Sequence, residues 1–211
     1  MLLNRLLRVK VLKLGIHRRN KFIRPEILDD KIYINICSKI MLQEKLSNQL
    51  IRVLNAINFS QRYYNFYEQK KEAISSHKKK SMASYEDLAA ALSSISQDFK
   101  YYKKENLITY KETFDKWEFV LNIAFTFSYV ELILSIKNEH EYAGGPFPKL
   151  AREAAQLSDP EFKYSPASPK IPFSNPTEFL SAVNFGISVF QEVKQAILPD
   201  EIKQSYLSFT K

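Results

Sequence analysis

YKETFDKWEFVLNIAFTFSYVELILSIKN, residues Tyr110 to Asn138, is the stretch on which the fold class turns. It holds neither Gly nor Pro, and its centre from Phe119 to Ile136 is more apolar than the flanking sequence. An apolar run of this length predicts a helix. It must also be weighed as a membrane span, which takes about 20 mostly apolar residues. Glu118, Asn122, Glu131 and Lys137 interrupt or flank the run. Glu131 would sit within the hydrocarbon, at a cost of roughly 2.5–3.5 kcal/mol on insertion scales. The reading is therefore a buried helix of a soluble bundle, with a membrane helix as the alternative.

The sequence on either side also reads as helical. Residues 36–75 lack Gly and Pro and place Leu42, Leu46, Leu50, Val53, Leu54 and Ile57 at helical spacing. Ser84 and Asp87 form a capping-box pattern, followed on one face by Leu88, Ala91, Leu92, Ile95, Phe99 and Tyr102. After Gly144-Gly145 the composition changes, with seven of the nine prolines between Pro146 and Pro176. Proline fixes φ and removes a donor, so this strap is expected to be extended, with one short helix over Lys149 to Leu157. Its aromatic anchors are Phe147, Phe162, Tyr164 and Phe173, lying on the chain's own bundle or on a partner. Asn175 as N-cap, Pro176 at the first helical position and Glu178 then open a last helix that Pro199 stops.

Composition sets the class. Of 211 residues, 45% are apolar and 26% charged, which excludes a disordered tail, a collagen-like fibre and a disulfide scaffold. The net charge is +8, and its position is more telling than its size. Arg5, Arg8, Lys10, Lys13, Arg18, Arg19, Lys21 and Arg24 precede the first acid, Glu26, so the remaining residues are neutral overall. An Arg-rich, acid-free start with interspersed Leu2, Leu3, Leu6 and Leu7 is the pattern of a mitochondrial transit segment. The expectation is an uncleaved targeting arm that docks on partner subunits, lipid or RNA. A basic nucleic-acid or lipid arm, or an edge strand, are the competing readings.

Catalytic patterns are absent. Four glycines supply no phosphate-binding loop, and no Gly-x-Gly-x-x-Gly or P-loop pattern occurs. Glu139-His140-Glu141 has metal-ligating residue types but no second cluster at ligand spacing. Cys37 is the only cysteine and cannot form an internal disulfide, which fits a reducing compartment. A basic and aromatic constellation remains: Arg62, Tyr63, Tyr64, Phe66, Tyr67, Lys70 and Lys71, continued by His77 to Lys80 and echoed by Tyr101 to Lys104. Lysines neutralise phosphates and aromatics stack on unpaired bases, so an RNA contact is one reading. Anionic lipid is a second, and a solvated helix end and loop a third.

The expected fold is an all-α, irregular helical bundle with a basic N-terminal arm and a proline-rich extended strap before the last helix. Its parts are a targeting and docking arm at 1–24, a helical body at 25–143, the strap at 144–176 and a C-terminal helix and tail at 177–211. The expected role is a non-catalytic accessory subunit of a mitochondrial inner-membrane complex, such as a respiratory-chain or ATP synthase assembly. It would lie on the matrix side or at the membrane. No enzyme activity, cofactor or metal is expected. Its partners would be other protein subunits, with anionic lipid or RNA contacted by Arg5, Arg8, Lys10, Lys13, Arg18, Arg19 and Arg24. The alternative is a mitochondrial ribosomal protein whose arm contacts rRNA.

Overall fold

A computed structural model of the chain describes residues 45–76, 84–93, 95, 98–126, 128–200 and 202. The arm, with Arg5, Arg8, Lys10, Lys13, Arg18, Arg19 and Arg24, lies outside the described residues, as do Cys37 and His77 to Lys80. Two helices, α1 (Leu46–Ala56) and α2 (Phe59–Ser76), are followed by a shorter one, α3 (Tyr85–Ser93). Strands β1 (Phe99–Tyr102), β2 (Leu107–Phe114), β3 (Trp117–Phe125), β4 (Tyr129–Lys137) and β5 (Tyr142–Pro146) come next. Helix α4 (Phe147–Gln156), strand β6 (Ile171–Pro172) and helix α5 (Pro176–Ile197) complete the order.

The all-α expectation is thereby overturned. The strands form one antiparallel sheet in the order β1-β2-β3-β4-β5, with β6 also paired to β4. Tyr110 to Asn138 is neither a bundle helix nor a membrane helix but parts of three adjacent strands. Among the described residues, no helix is long and apolar enough to cross a membrane.

The residues themselves explain the correction. Phe119, Leu121, Ile123 and Phe125 in β3, and Val130, Leu132, Leu134 and Ile136 in β4, are buried at every second position. A period of two puts them on one face of a pleated strand, whereas a helix would spread them around its cylinder. Phe119 lies opposite Ile136, Leu121 opposite Leu134, Ile123 opposite Leu132 and Phe125 opposite Val130. Asp115, with φ of 51°, supplies the left-handed residue of the two-residue turn between β2 and β3.

Helix α5 covers the inner face these residues form. Its N-terminus is built as its sequence predicts. The Asn175 side chain accepts from the Glu178 N–H at 3.0 Å, and the Glu178 carboxylate accepts from the Ser174 N–H at 2.6 Å. Phe179 meets Phe125 with ring centroids 5.5 Å apart, and Phe190 meets Phe119 at 6.3 Å. Between them Gly186 lets the helix settle on the sheet, because a Cβ there would stand 3.1–3.3 Å from Leu132 and Leu121. Each fully buried Leu, Ile or Phe contributes roughly 1.5–3 kcal/mol. The core of the described residues contains no buried polar or charged side chain.

Two short strands share the far edge of β4. Strand β5 pairs with Ile133 to Lys137, and β6 with Tyr129 and Val130. Gly144, at φ of +150°, makes this close approach feasible, since a Cβ would lie 2.2 Å from the Leu134 carbonyl oxygen. Elsewhere the helical expectations need trimming. Of the stretch 36–75, residues 36–44 with Leu42 lie outside the described residues, and the remainder breaks at Asn58, whose φ is 54°. The Ser84–Asp87 capping box forms as expected, yet its helix ends at Ser93, and Phe99 and Tyr102 belong to β1.

Candidate functional site

The sheet has a second face, and its content follows from the register. One outward level across the strands is Tyr102, Leu107, Ala124 and Glu131, and the next is Lys100, Thr109, Asn122, Ile133 and Pro146. A third is Lys111, Val120, Ser135 and Gly144, and the last is Thr113, Glu118, Lys137 and Tyr142. In the two middle levels β3 and β4 therefore present Val120, Asn122, Ile133 and Ser135, with no charge among them. These four are half-buried. Among the described residues, the outward side chains of β2 and β3 bond with one another: Thr109 Oγ1 to Asn122 Oδ1 at 2.7 Å, and Lys111 with Glu118. Glu131 meets Lys170 at 3.3 Å. Tyr102, Tyr129 and Tyr142 stand at the rim, 45%, 44% and 66% exposed.

One end of this face opens into a surface cavity of about 340 Å³, lined in part by Asp115, Lys116, Trp117, Lys137 and Glu139. Its charges largely satisfy one another. Lys116 pairs with Glu139, which holds that carboxyl below and the ammonium above the ordinary range. Glu118 is held by Lys111. The Glu139-His140-Glu141 cluster does not converge on one point. Glu139 pairs with Lys116 and lies 3.6 Å from the exposed His140 Nε2, while the Glu141 carboxylate turns away and accepts from the Leu46 N–H at 2.8 Å at the start of α1. Among the described residues, no group of three or more His, Cys, Asp or Glu could hold a metal ion.

A polar network joins the sheet's inner face to α5. The Glu112 carboxylate accepts from Tyr110 Oη at 2.6 Å, Gln191 Nε2 at 2.8 Å and Lys194 Nζ at 2.7 Å. Burial pushes its pKa up, but these donors outweigh burial and hold it below the usual carboxylate range. Burial and the neighbouring Glu112 both raise the Tyr110 phenol. With three donors on one carboxylate, the network fastens α5 to β2.

The basic and aromatic constellation of α2 is turned largely into the chain's own packing. Arg62 makes two hydrogen bonds to Glu192, at 2.6 and 2.8 Å. Tyr63 is buried and donates to the Pro169 carbonyl, and burial raises its phenol far above the usual range. Phe66 stacks on Phe185 at 4.6 Å, with Lys70 5.2 Å from the Phe66 ring. The strap aromatics meet the same chain. Phe147 opens α4 and meets Phe59 edge-on at 5.0 Å. Phe162 lies 5.7 Å from Tyr64, Tyr164 stacks on Tyr64 at 3.8 Å, and Phe173 packs on Phe179 at 5.4 Å.

Reading Tyr110 to Asn138 as one helix hides the outward face. The alternation of Phe119, Leu121, Ile123 and Phe125, repeated after Ser128 by Val130, Leu132, Leu134 and Ile136, is the signal that finds it. Comparison with protein-family models, with curated proteins and with solved structures found no match.

Proposed function

We propose that the chain is a non-catalytic accessory subunit of a mitochondrial inner-membrane complex, such as a respiratory-chain or ATP synthase assembly, and that it acts by packing. One observation carries the packing role: the outward centre of β3 and β4 is uncharged, at Val120, Asn122, Ile133 and Ser135. An antiparallel strand with one wet face ordinarily alternates apolar with polar, while strands covered on both faces read as continuous apolar runs. Phe119 to Ile136 lies between the two, with Val120, Ala124 and Ile133 apolar on the outward side and Asn122, Glu131 and Ser135 polar. The mitochondrial address rests on the Arg-rich, acid-free segment from Arg5 to Arg24.

Native fractionation of the source organelle tests both parts. The expected result is co-migration with a membrane complex in mild detergent that survives raised salt, because apolar burial resists salt. Co-sedimentation with ribosomal subunits, lost steeply as salt rises, would establish the rRNA-binding alternative instead. Absence from mitochondria would overturn the address.

A further inference from the structure

We infer that the outward face of the sheet is covered by the same face of a second copy of this chain, in a two-fold stack. The inference rests on reading that face as a packing surface and names its occupant. A two-fold interface must be self-complementary, so that if one residue contacts another, the reverse contact also forms. The register meets this condition about the central level of Tyr110, Leu121 and Leu134. Reversing the strands about an axis along that level sets Glu131 of one copy over Lys137 of the other, and Lys137 over Glu131. The same operation sets Val120 over Asn122, Ile133 over Ser135, Thr109 over Lys111 and Pro146 over Gly144. No like charges meet. An axis along β3 would instead set Glu118 against its own copy, so charge selects the first arrangement.

The area is that of a weak association. The strand residues with a counterpart across this axis are Phe99 in β1, 107–113 in β2, 117–125 in β3, 131–137 in β4 and 144–146 in β5, and at roughly 16 Å² of sheet each they overlap over roughly 430 Å² per copy. The pair then covers about 860 Å² of sheet, in the range of small, concentration-dependent interfaces. Small outward side chains at Asn122, Ala124, Ser135 and Gly144 allow two sheets to approach to about 10 Å. Glu131 also meets Lys170 within its own chain. A second ammonium on its other oxygen adds to that pair.

Sedimentation of the full chain tests the inference. The expected result is a dimer for the wild type. Glu131→Lys and Lys137→Glu each set like charges together and raise the dissociation constant on the order of tenfold or more. The double variant restores the pair and returns the constant toward wild type. Lys137→Glu, at an exposed position outside any intrachain ion pair of the described residues, keeps the test valid should Glu131→Lys disturb folding through Lys170. A wild-type monomer at high micromolar concentration overturns the inference, as does a dimer indifferent to Lys137→Glu. If that monomer still co-migrates with a membrane complex, only the second copy is refuted. A charge-sensitive dimer free of any such complex refutes the accessory role and leaves the inference standing.

Discussion

The two faces of the sheet share strands, register and hydrogen bonds, and differ only in what alternate side chains meet. On the inner face Phe119, Leu121, Leu132 and Leu134 are sealed beneath α5, each with no more than 1% of its surface exposed. On the outward face Val120, Asn122, Ile133 and Ser135 are half-buried, and the hydrogen bonds there run between neighbouring strands of the sheet. A residue's contribution to stability is thus set by the parity of its position in the strand. The inner face carries the fold, and the outward face adds little to it.

The largest expected effect removes an inner anchor. Phe119→Ala should lower unfolding free energy by about 3–5 kcal/mol in urea titration, while Val120→Ala one residue away should cost less than about 1 kcal/mol. Equal losses would show that the outward face is sealed within the monomer.

Gly144→Ala comes next. The added methyl would meet the backbone of Leu134 and Ser135 at a φ that L residues rarely adopt. A loss of about 2 kcal/mol or more is expected, with the amides of β5 exchanging faster than those of β3. A neutral Gly144→Ala would mean that β5 does not approach β4 so closely.

Acid should loosen the inner face at Glu112. Its pKa is depressed in the folded chain, so the stability it adds is present above the ordinary value of 4.5 and lost as pH falls through the folded value. Thermal midpoints should therefore drop as the pH is lowered below about 4.5, and Glu112→Gln should flatten part of that decline. An unchanged slope would exclude Glu112 as a contributor.

The smallest effect belongs to the outward pair. Lys111→Ala removes the ion pair with Glu118, whose side chains are 44% and 37% exposed. The expected cost is below about 1 kcal/mol and fades with salt. A larger, salt-independent loss would show that this pair is desolvated.

Legibility followed range. The capping groups of α5, Asn175 and Glu178, and the Ser84–Asp87 box of α3 act within four residues, and both are readable directly. The sheet was not, because the central outward positions of β3 and β4, at Val120, Asn122, Ile133 and Ser135, lack the charges that normally expose a period of two. With Val120, Ala124 and Ile133 also apolar, strand alternation is blurred into a largely apolar run that reads equally as helix. The outward face was harder still, since it exists only once four strands are in register. Tyr63 and Phe66 show the converse failure: read as partners for bases, they are consumed by Pro169 and Phe185, contacts more than a hundred residues away.

By itself the sequence determined what local chemistry determines: a basic first 24 residues on a neutral remainder, the proline-rich strap, and the places where α3 and α5 begin. Hydrogen-bonding side chains and proline act on backbone groups within a turn, so their effect needs no knowledge of the rest of the chain. Tertiary structure alone decided that Phe119 to Ile136 is a hairpin. A strand's backbone donors and acceptors are satisfied by other strands, and its buried face by a helix arriving from Pro176 onward.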